Sequence, residues 1–168
     1  MATSITAGIN INVAATLMDS LDIGNADYQA NWGANYTLTD GTGANQAKQI
    51  FTDTRTLTAS ATENLDLAAA LVNAFGVTLT FTKVKAIFIK ADAANTNSVQ
   101  VTRPATNGVP LFMAAGDGIA LTPGAMFSAV FPDANGVAVT AGTGDLLTIT
   151  NSAGGTAVTY TVIIIGTV

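Results

Sequence analysis

The chain has no histidine and no cysteine, and only 10% of its residues are charged beside 49% that are hydrophobic. An ordinary soluble domain carries about 25% charged residues. Histidine and cysteine supply most general bases, thiolate nucleophiles and transition-metal ligands, so the common catalytic constellations cannot be assembled here. Disulfide staples are excluded as well. Glutamate is nearly missing: Glu63 stands alone against ten aspartates. Because Glu favours helices and Asp favours turns and caps, the acidic residues point to turns.

Positive charge is equally scarce. Six basic residues leave a net charge of −5, which argues against nucleic acid, since phosphate binding needs clustered Lys and Arg. Lys83, Lys85 and Lys90 fall in one segment and read as solvated lysines of an edge strand. The purely apolar stretches, such as Leu67 to Val72 and Val162 to Ile165, are far short of the ~20 residues that span a bilayer, so no membrane association is expected. The start, Met1-Ala-Thr-Ser-Ile5, has no basic region and no apolar run of the kind that directs export, and synthesis in a cytoplasm is expected. A surface this poor in charge loses little on dehydration, because burying an unpaired charge costs far more than burying a hydroxyl or methyl group. The composition is that of a chain made to be covered by neighbours.

What is present is alternation. Ile5, Ala7, Ile9, Ile11 and Val13 point one way between Thr6, Gly8, Asn10 and Asn12, the period of a strand. Val158, Tyr160, Val162 and Ile164 alternate with Thr159, Thr161 and Ile163, with both faces turning apolar as in a strand covered on two sides. Val99 to Val101, Leu147 to Ile149 and Phe127 to Phe131 read as further strands. Val77, Leu79 and Phe81 share a face, whereas Val84, Ala86 and Phe88 have the opposite parity, so a bulge or break is expected near Thr82-Lys83. Turn chemistry recurs at Asn107-Gly108, Thr122-Pro-Gly124, Asp133-Ala-Asn-Gly136, Gly142-Thr-Gly-Asp145 and Ala153-Gly-Gly155. One or two helical turns are expected at Asp66 to Phe75, where Leu67, Leu71 and Phe75 recur before Gly76. Short strands divided by frequent turns predict an all-β fold, an antiparallel jelly-roll-like β-sandwich over 48–168. Residues 1–47 are read as an N-terminal arm: a strand, then a loop-rich connector from about Asp19 to Gln46 without a clear period.

Candidate sites are few. Asp19, Asp22, Asn25 and Asp27 offer oxygen ligands at short spacing but lack the EF-hand pattern, so turn and cap roles are expected and no metal is assigned. Asp40-Gly-Thr-Gly43 carries a glycine inserted into the Asp-Thr-Gly of aspartic proteases and reads as a turn. Asp53 and Arg55 share a strand face and could pair across a sheet or with a neighbouring subunit, although simple surface roles are the commoner expectation. Glu63 with Asp66 or Asp53 formally supplies the two carboxylates of a glycosidase, but nothing selects the pair. The best binding candidates are aromatic, Tyr28, Trp32 and Tyr36, since such residues anchor protein interfaces and sugars alike. With Ile5, Ile9 and Ile11 of the first strand they form the expected interface, and burial of Trp32 beneath the connector is the alternative. No catalytic residue and no cofactor is assigned.

Thr39-Asp-Gly-Thr-Gly-Ala-Asn-Gln46, Phe51-Thr-Asp-Thr-Arg-Thr-Leu57 and Glu63-Asn-Leu-Asp-Leu67 resemble small virion proteins of tailed bacteriophages. The similarity continues through Val84-Lys-Ala-Ile-Phe-Ile89, Ala93-Ala-Asn-Thr-Asn97 and Val139-Thr-Ala-Gly-Thr-Gly-Asp-Leu146 to Val158-Thr-Tyr-Thr-Val-Ile-Ile-Ile-Gly166. The resemblance implies a jelly-roll capsid cement or decoration protein: a homotrimer on the outer head surface, assembled in the host cytoplasm, with the major capsid protein as partner. A receptor- or glycan-binding head of a fibre or tail is the alternative it leaves open.

Overall fold

The computed structural model of the chain describes residues 4–168, with no helix among them. Residues 1–3, part of the segment read above for export, lie outside the described residues. The arm is a hairpin of β1 (Ala7–Leu21) and β2 (Gly24–Asp40), followed by β3 (Gln46–Ala47), which runs parallel to the end of β2. Nine further strands build the body: β4 (Gln49–Leu57), β5 (Thr62–Asp66), β6 (Lys83–Ala91), β7 (Val99–Thr102), β8 (Gly118–Leu121), β9 (Met126–Val130), β10 (Val137–Ala138), β11 (Leu146–Asn151) and β12 (Val158–Thr167).

Two antiparallel sheets face each other in the body. One has the order β4-β12-β6-β9, with the short β10 continuing the β9 edge along β6. The other has the order β5-β11-β7-β8. The chain crosses between sheets at nearly every connection, and only β7 and β8 are hairpin neighbours. This is the interleaved order of a jelly roll, as the sequence led one to expect. Alternation decides the inward set. Leu65, Ile87, Ile89, Val99, Val101, Leu147, Ile149, Val158, Tyr160, Val162 and Ile164 fill the space between the sheets.

A second, smaller core lies on the outer face of the β12 sheet. Ile165 and Ala86 are buried there against Ile9 and Leu38 of the arm and Ala47, with Ile5, Ile11, Tyr36, Phe88, Val130 and Ile163 around them. The C-terminal end of β12 is therefore covered on both faces, which accounts for the apolar run that closes it.

Several expectations need correcting. Val77 to Phe81 is no strand: Leu79 and Phe81 enter the core from an irregular segment tied by Phe81 N–H to Leu67 O (2.9 Å) and Leu79 N–H to Leu71 O (2.7 Å). The bulge lies later, where β12 Ile165 pairs with Ala86 but Gly166 pairs with Val84, leaving Lys85 as the extra residue. Lys85 is consequently buried and not a solvated edge lysine. The helix at Asp66 to Phe75 reduces to a single turn. Asp66 Oδ1 accepts from Ala68 N–H (2.9 Å), and Asn73 Oδ1 accepts from Phe75 and Val77 N–H (2.9 and 3.0 Å). Short polar side chains here take the backbone donors a helix would need.

Gly166 sits opposite this bulge, and a Cβ on it would run into the Lys83 carbonyl oxygen and the Phe81 ring. Gly166→Ala is expected to destabilise the fold by about 1–3 kcal/mol through overpacking, read as a lower urea midpoint at unchanged slope. An unchanged midpoint would show that the bulge relaxes without cost.

Candidate interaction surface on the N-terminal arm

The region read as a loop-rich connector is a strand. From Asn25 to Thr39 the odd positions are Asn, Asp, Gln, Gly or Thr, and the even positions Ala26 to Leu38 are Ala, Tyr, Trp or Leu. That is period two, hidden because alanine separates the aromatic residues and is a weak strand former. Asp22 and Ile23 close the hairpin, and Gly24 at φ +95° provides a left-handed turn that side chains resist.

Directly opposite residues of an antiparallel pair share a face. The pairs Ile9–Tyr36, Ile11–Ala34, Val13–Trp32, Ala15–Ala30 and Leu17–Tyr28 therefore make one apolar stripe, interrupted by Asp19 opposite Ala26 before Leu21 at the tip. The reverse face pairs Asn10 with Asn35, Asn12 with Gly33, Ala14 with Asn31 and Thr16 with Gln29. The hairpin is amphipathic, yet only its base is covered. Ile9 is buried, and Ile5, Ile11 and Tyr36 are partly buried in the chain's own second core. Beyond them Val13 is 54% exposed, Leu17 72%, Tyr28 67% and Trp32 60%.

The six interface candidates thus divide. Ile5, Ile9, Ile11 and Tyr36 anchor the arm to its own sandwich, whereas Tyr28 and Trp32 lie on the free part of the stripe. Two expectations change with this. The first strand pairs with β2 of the same chain and needs no neighbour for its hydrogen bonds, and Trp32 is not buried beneath a connector. Val13, Leu17 and Leu21 belong to the same stripe and were missed because their alternation was followed only as far as Val13.

The other sequence candidates have local roles. Asp19 and Asp27 lie on opposite faces of the hairpin, and among the described residues no group of three acidic side chains converges on a metal position. Asp40 pairs with Lys48 at 2.5 Å, and in the turn after it Gly43 N–H donates to Gln46 Oε1 at 2.8 Å. Arg55 Nε reaches Glu63 Oε2 at 3.1 Å and Asp53 Oδ2 at 3.8 Å, while the Tyr160 hydroxyl donates to Glu63 Oε1 at 2.7 Å. Burial, and then the Glu63 carboxylate, hold the Tyr160 phenol well above its ordinary value. Both Glu63 oxygens are engaged, in a contact that ties β4 and β12 to β5. Asp66, three residues from Glu63 on β5, lies on the opposite strand face.

Lys85 joins arm and body. Its ammonium donates to the main-chain oxygens of Asp133 and Gly43, and burial lowers its pKa, partly offset by the Asp133 carboxylate. The Asp133 carboxylate in turn accepts from Asn135 N–H (2.6 Å) and Gly136 N–H (2.9 Å), which lowers its pKa from 3.8. Compared with family models, with characterised proteins and with solved structures, the chain matches none.

Two outcomes follow from this geometry. Replacing Asn12 to Gly33 by a two-residue turn keeps Ile9, Leu38 and the second core, so the urea midpoint of the sandwich should move by no more than about 0.5 kcal/mol equivalent. A larger loss would mean that the free arm supports the body. For Asp133, the folded value lies below the unfolded 3.8, so its contribution is complete above that pH and is lost as pH falls through the folded value. Asp133→Asn should therefore lower stability in the neutral region and change it little below the folded value, which flattens the acid limb of stability against pH.

Proposed function

We propose that this chain is a non-enzymatic cement, or decoration, protein of a tailed-bacteriophage head. In this reading it is a homo-oligomer, a trimer by its resemblance to such proteins, bound to the outer capsid surface where it bridges major capsid protein subunits. The observation that carries the reading is the arm: an amphipathic hairpin that leaves a closed sandwich and holds an uncovered apolar stripe away from it. A monomer keeps such a stripe in water at a cost, whereas a subunit of an assembly buries it. Burial of apolar area supplies attraction, at about 25 cal/mol per Å². Repetition around a symmetric shell lets individually weak contacts hold subunits that internal pressure would separate. The sparse charge keeps such contacts easy to dehydrate.

The exposed Tyr28 and Trp32 favour a second reading, a receptor- or glycan-binding head. Against it, their neighbours on that face are Val13, Ala15, Leu17 and Ala30, which offer no side-chain hydrogen bonds to sugar hydroxyls. Such a stripe suits a protein surface better.

The test is the temperature of DNA release from heads stripped of the protein and then reloaded, in the presence of chelator. Reloaded heads should release DNA at higher temperature, with hundreds of copies bound per virion by quantitative mass spectrometry. With no histidine to titrate, the affinity for heads should stay level from about pH 6 to 8. Unchanged release at full occupancy, or a copy number of a few to tens, would overturn the cement role in favour of a tail or fibre component.

A further inference from the structure

The stripe on the free arm is continuous with the stripe that its own body covers, and this identifies the surface that suits it. At the base, Ile9 and Leu38 pack on Ala86 and Ile165, on the outer face of the β4-β12-β6-β9 sheet. That face continues past the arm. Phe88, Ile163 and Val130 are only partly buried and Ile50 is 39% exposed. Between this face and residues Thr6 to Asn10 lies an open groove of about 450 Å³, floored by Ile50, Phe88, Ile163 and Ile165. A chain that holds both an uncovered apolar stripe and an uncovered apolar face of the kind that already receives that stripe is complementary to itself. We propose that the occupant of the free arm is a second copy of this chain: the stripe Val13, Leu17, Tyr28 and Trp32 of one copy lies on the outer sheet face of another, at the groove beside that copy's β1.

Charge supports the same pairing. The arm's only charged residues before Asp40 are Asp19, Asp22 and Asp27, all toward its tip, while all six basic residues belong to the chain from Lys48 onward. Exposed Lys90 follows Phe88 by two positions on β6 and so stands on the same outer face. An arm laid over Phe88 brings its acidic tip to a surface carrying a lysine. An exposed ion pair of this kind adds little affinity and mainly sets orientation.

Area points to exchange in both directions. With ten paired positions beyond Ile11, the free stripe is about 34 Å long and about 10 Å wide, or roughly 350 Å². A stable interface buries about 800 Å² per partner. One arm alone falls short, but a copy that gives one arm and receives another roughly doubles its contact and approaches that value. A two-stranded hairpin is also marginal in water by itself, so a third layer is what the free arm needs.

The inference rests on the homo-oligomer part of the reading above and not on head attachment. Leu17→Cys places a unique thiol on the stripe, because the chain has no other cysteine. Labelled with a cysteine-reactive benzophenone and mixed with ¹⁵N-labelled protein, it should give mixed-isotope cross-links to peptides of β4, β6 or β12 around Ile50, Phe88 and Ile163. In sedimentation, Leu17→Asp and Ile50→Asp, both at exposed positions, should each weaken association at least tenfold while the circular dichroism of the strands is kept. Lys90→Glu should weaken it severalfold, and Asp19→Lys, on the stripe face, should recover part of that loss. A wild-type monomer at micromolar concentration, association unaffected by Leu17→Asp and Ile50→Asp, or cross-links that stay within one copy would each overturn the proposal. Cross-links from Leu17→Cys to the major capsid protein instead would overturn it and leave the cement reading standing. Arm exchange without any binding to heads would support the inference and remove the cement reading.

Discussion

The whole molecule depends on one strand whose C-terminal end is buried on both sides. β12 sends Val158, Tyr160, Val162 and Ile164 into the main core and presents Ile163 and Ile165 to the second. A side-chain period of two means that each inward residue commits its neighbour to the other face. Once that other face is apolar, it too has to be covered. The base of the arm is the cover: the hairpin stands where it does because Ile165 and Ala86 have to be removed from water. The bulge at Lys85 follows from the same requirement. It lets Val84 and Ile87 both enter the main core while Ala86 faces the arm, and it turns a lysine inward to hold the loops at Gly43 and Asp133. Burying that ammonium lowers its pKa, a cost offset by two main-chain acceptors and a nearby carboxylate.

Beyond this base the same alternation continues with nothing to cover it. β1 and β2 keep an apolar and a polar face as far as the Leu17–Tyr28 pair, but the body ends near Ile11 and Tyr36. A stripe that only filled an internal core would stop where the body stops. This one runs on through Val13, Trp32, Leu17 and Tyr28, which nothing in the chain covers. The shortage of charge leaves that stripe free of Lys and Glu, whose burial would require pairing or dehydration.

Structure adds little chemistry to what the composition permitted. The carboxylates that sequence raised as possible acids or bases are occupied in holding the fold. Glu63 is shared by Arg55 and Tyr160, Asp66 stabilises the turn after β5, and Asp40 pairs with Lys48.

Where apolar residues alternate without interruption, as in β12, β11 and β7, strand and buried face were legible together, and frequent turn signals restricted the rest to a jelly-roll-like sandwich. β2 carried the same signal, but alanines between Tyr28, Trp32 and Tyr36 diluted it until its register with β1 showed one face. The irregular route from Leu67 to Thr82 was not legible, because Leu71, Leu79 and Phe81 are buried by loops whose backbone bonds go to residues distant in sequence. By itself the sequence determined the strand period, the turns, the scarcity of charge and the absence of histidine and cysteine, all of which are local or compositional. Only tertiary structure decided that Ile9 and Leu38 are covered while Trp32 and Leu17 are not. Two stretches of one amphipathic hairpin look alike along the chain, and they differ only in whether the outer face of β12 lies within reach.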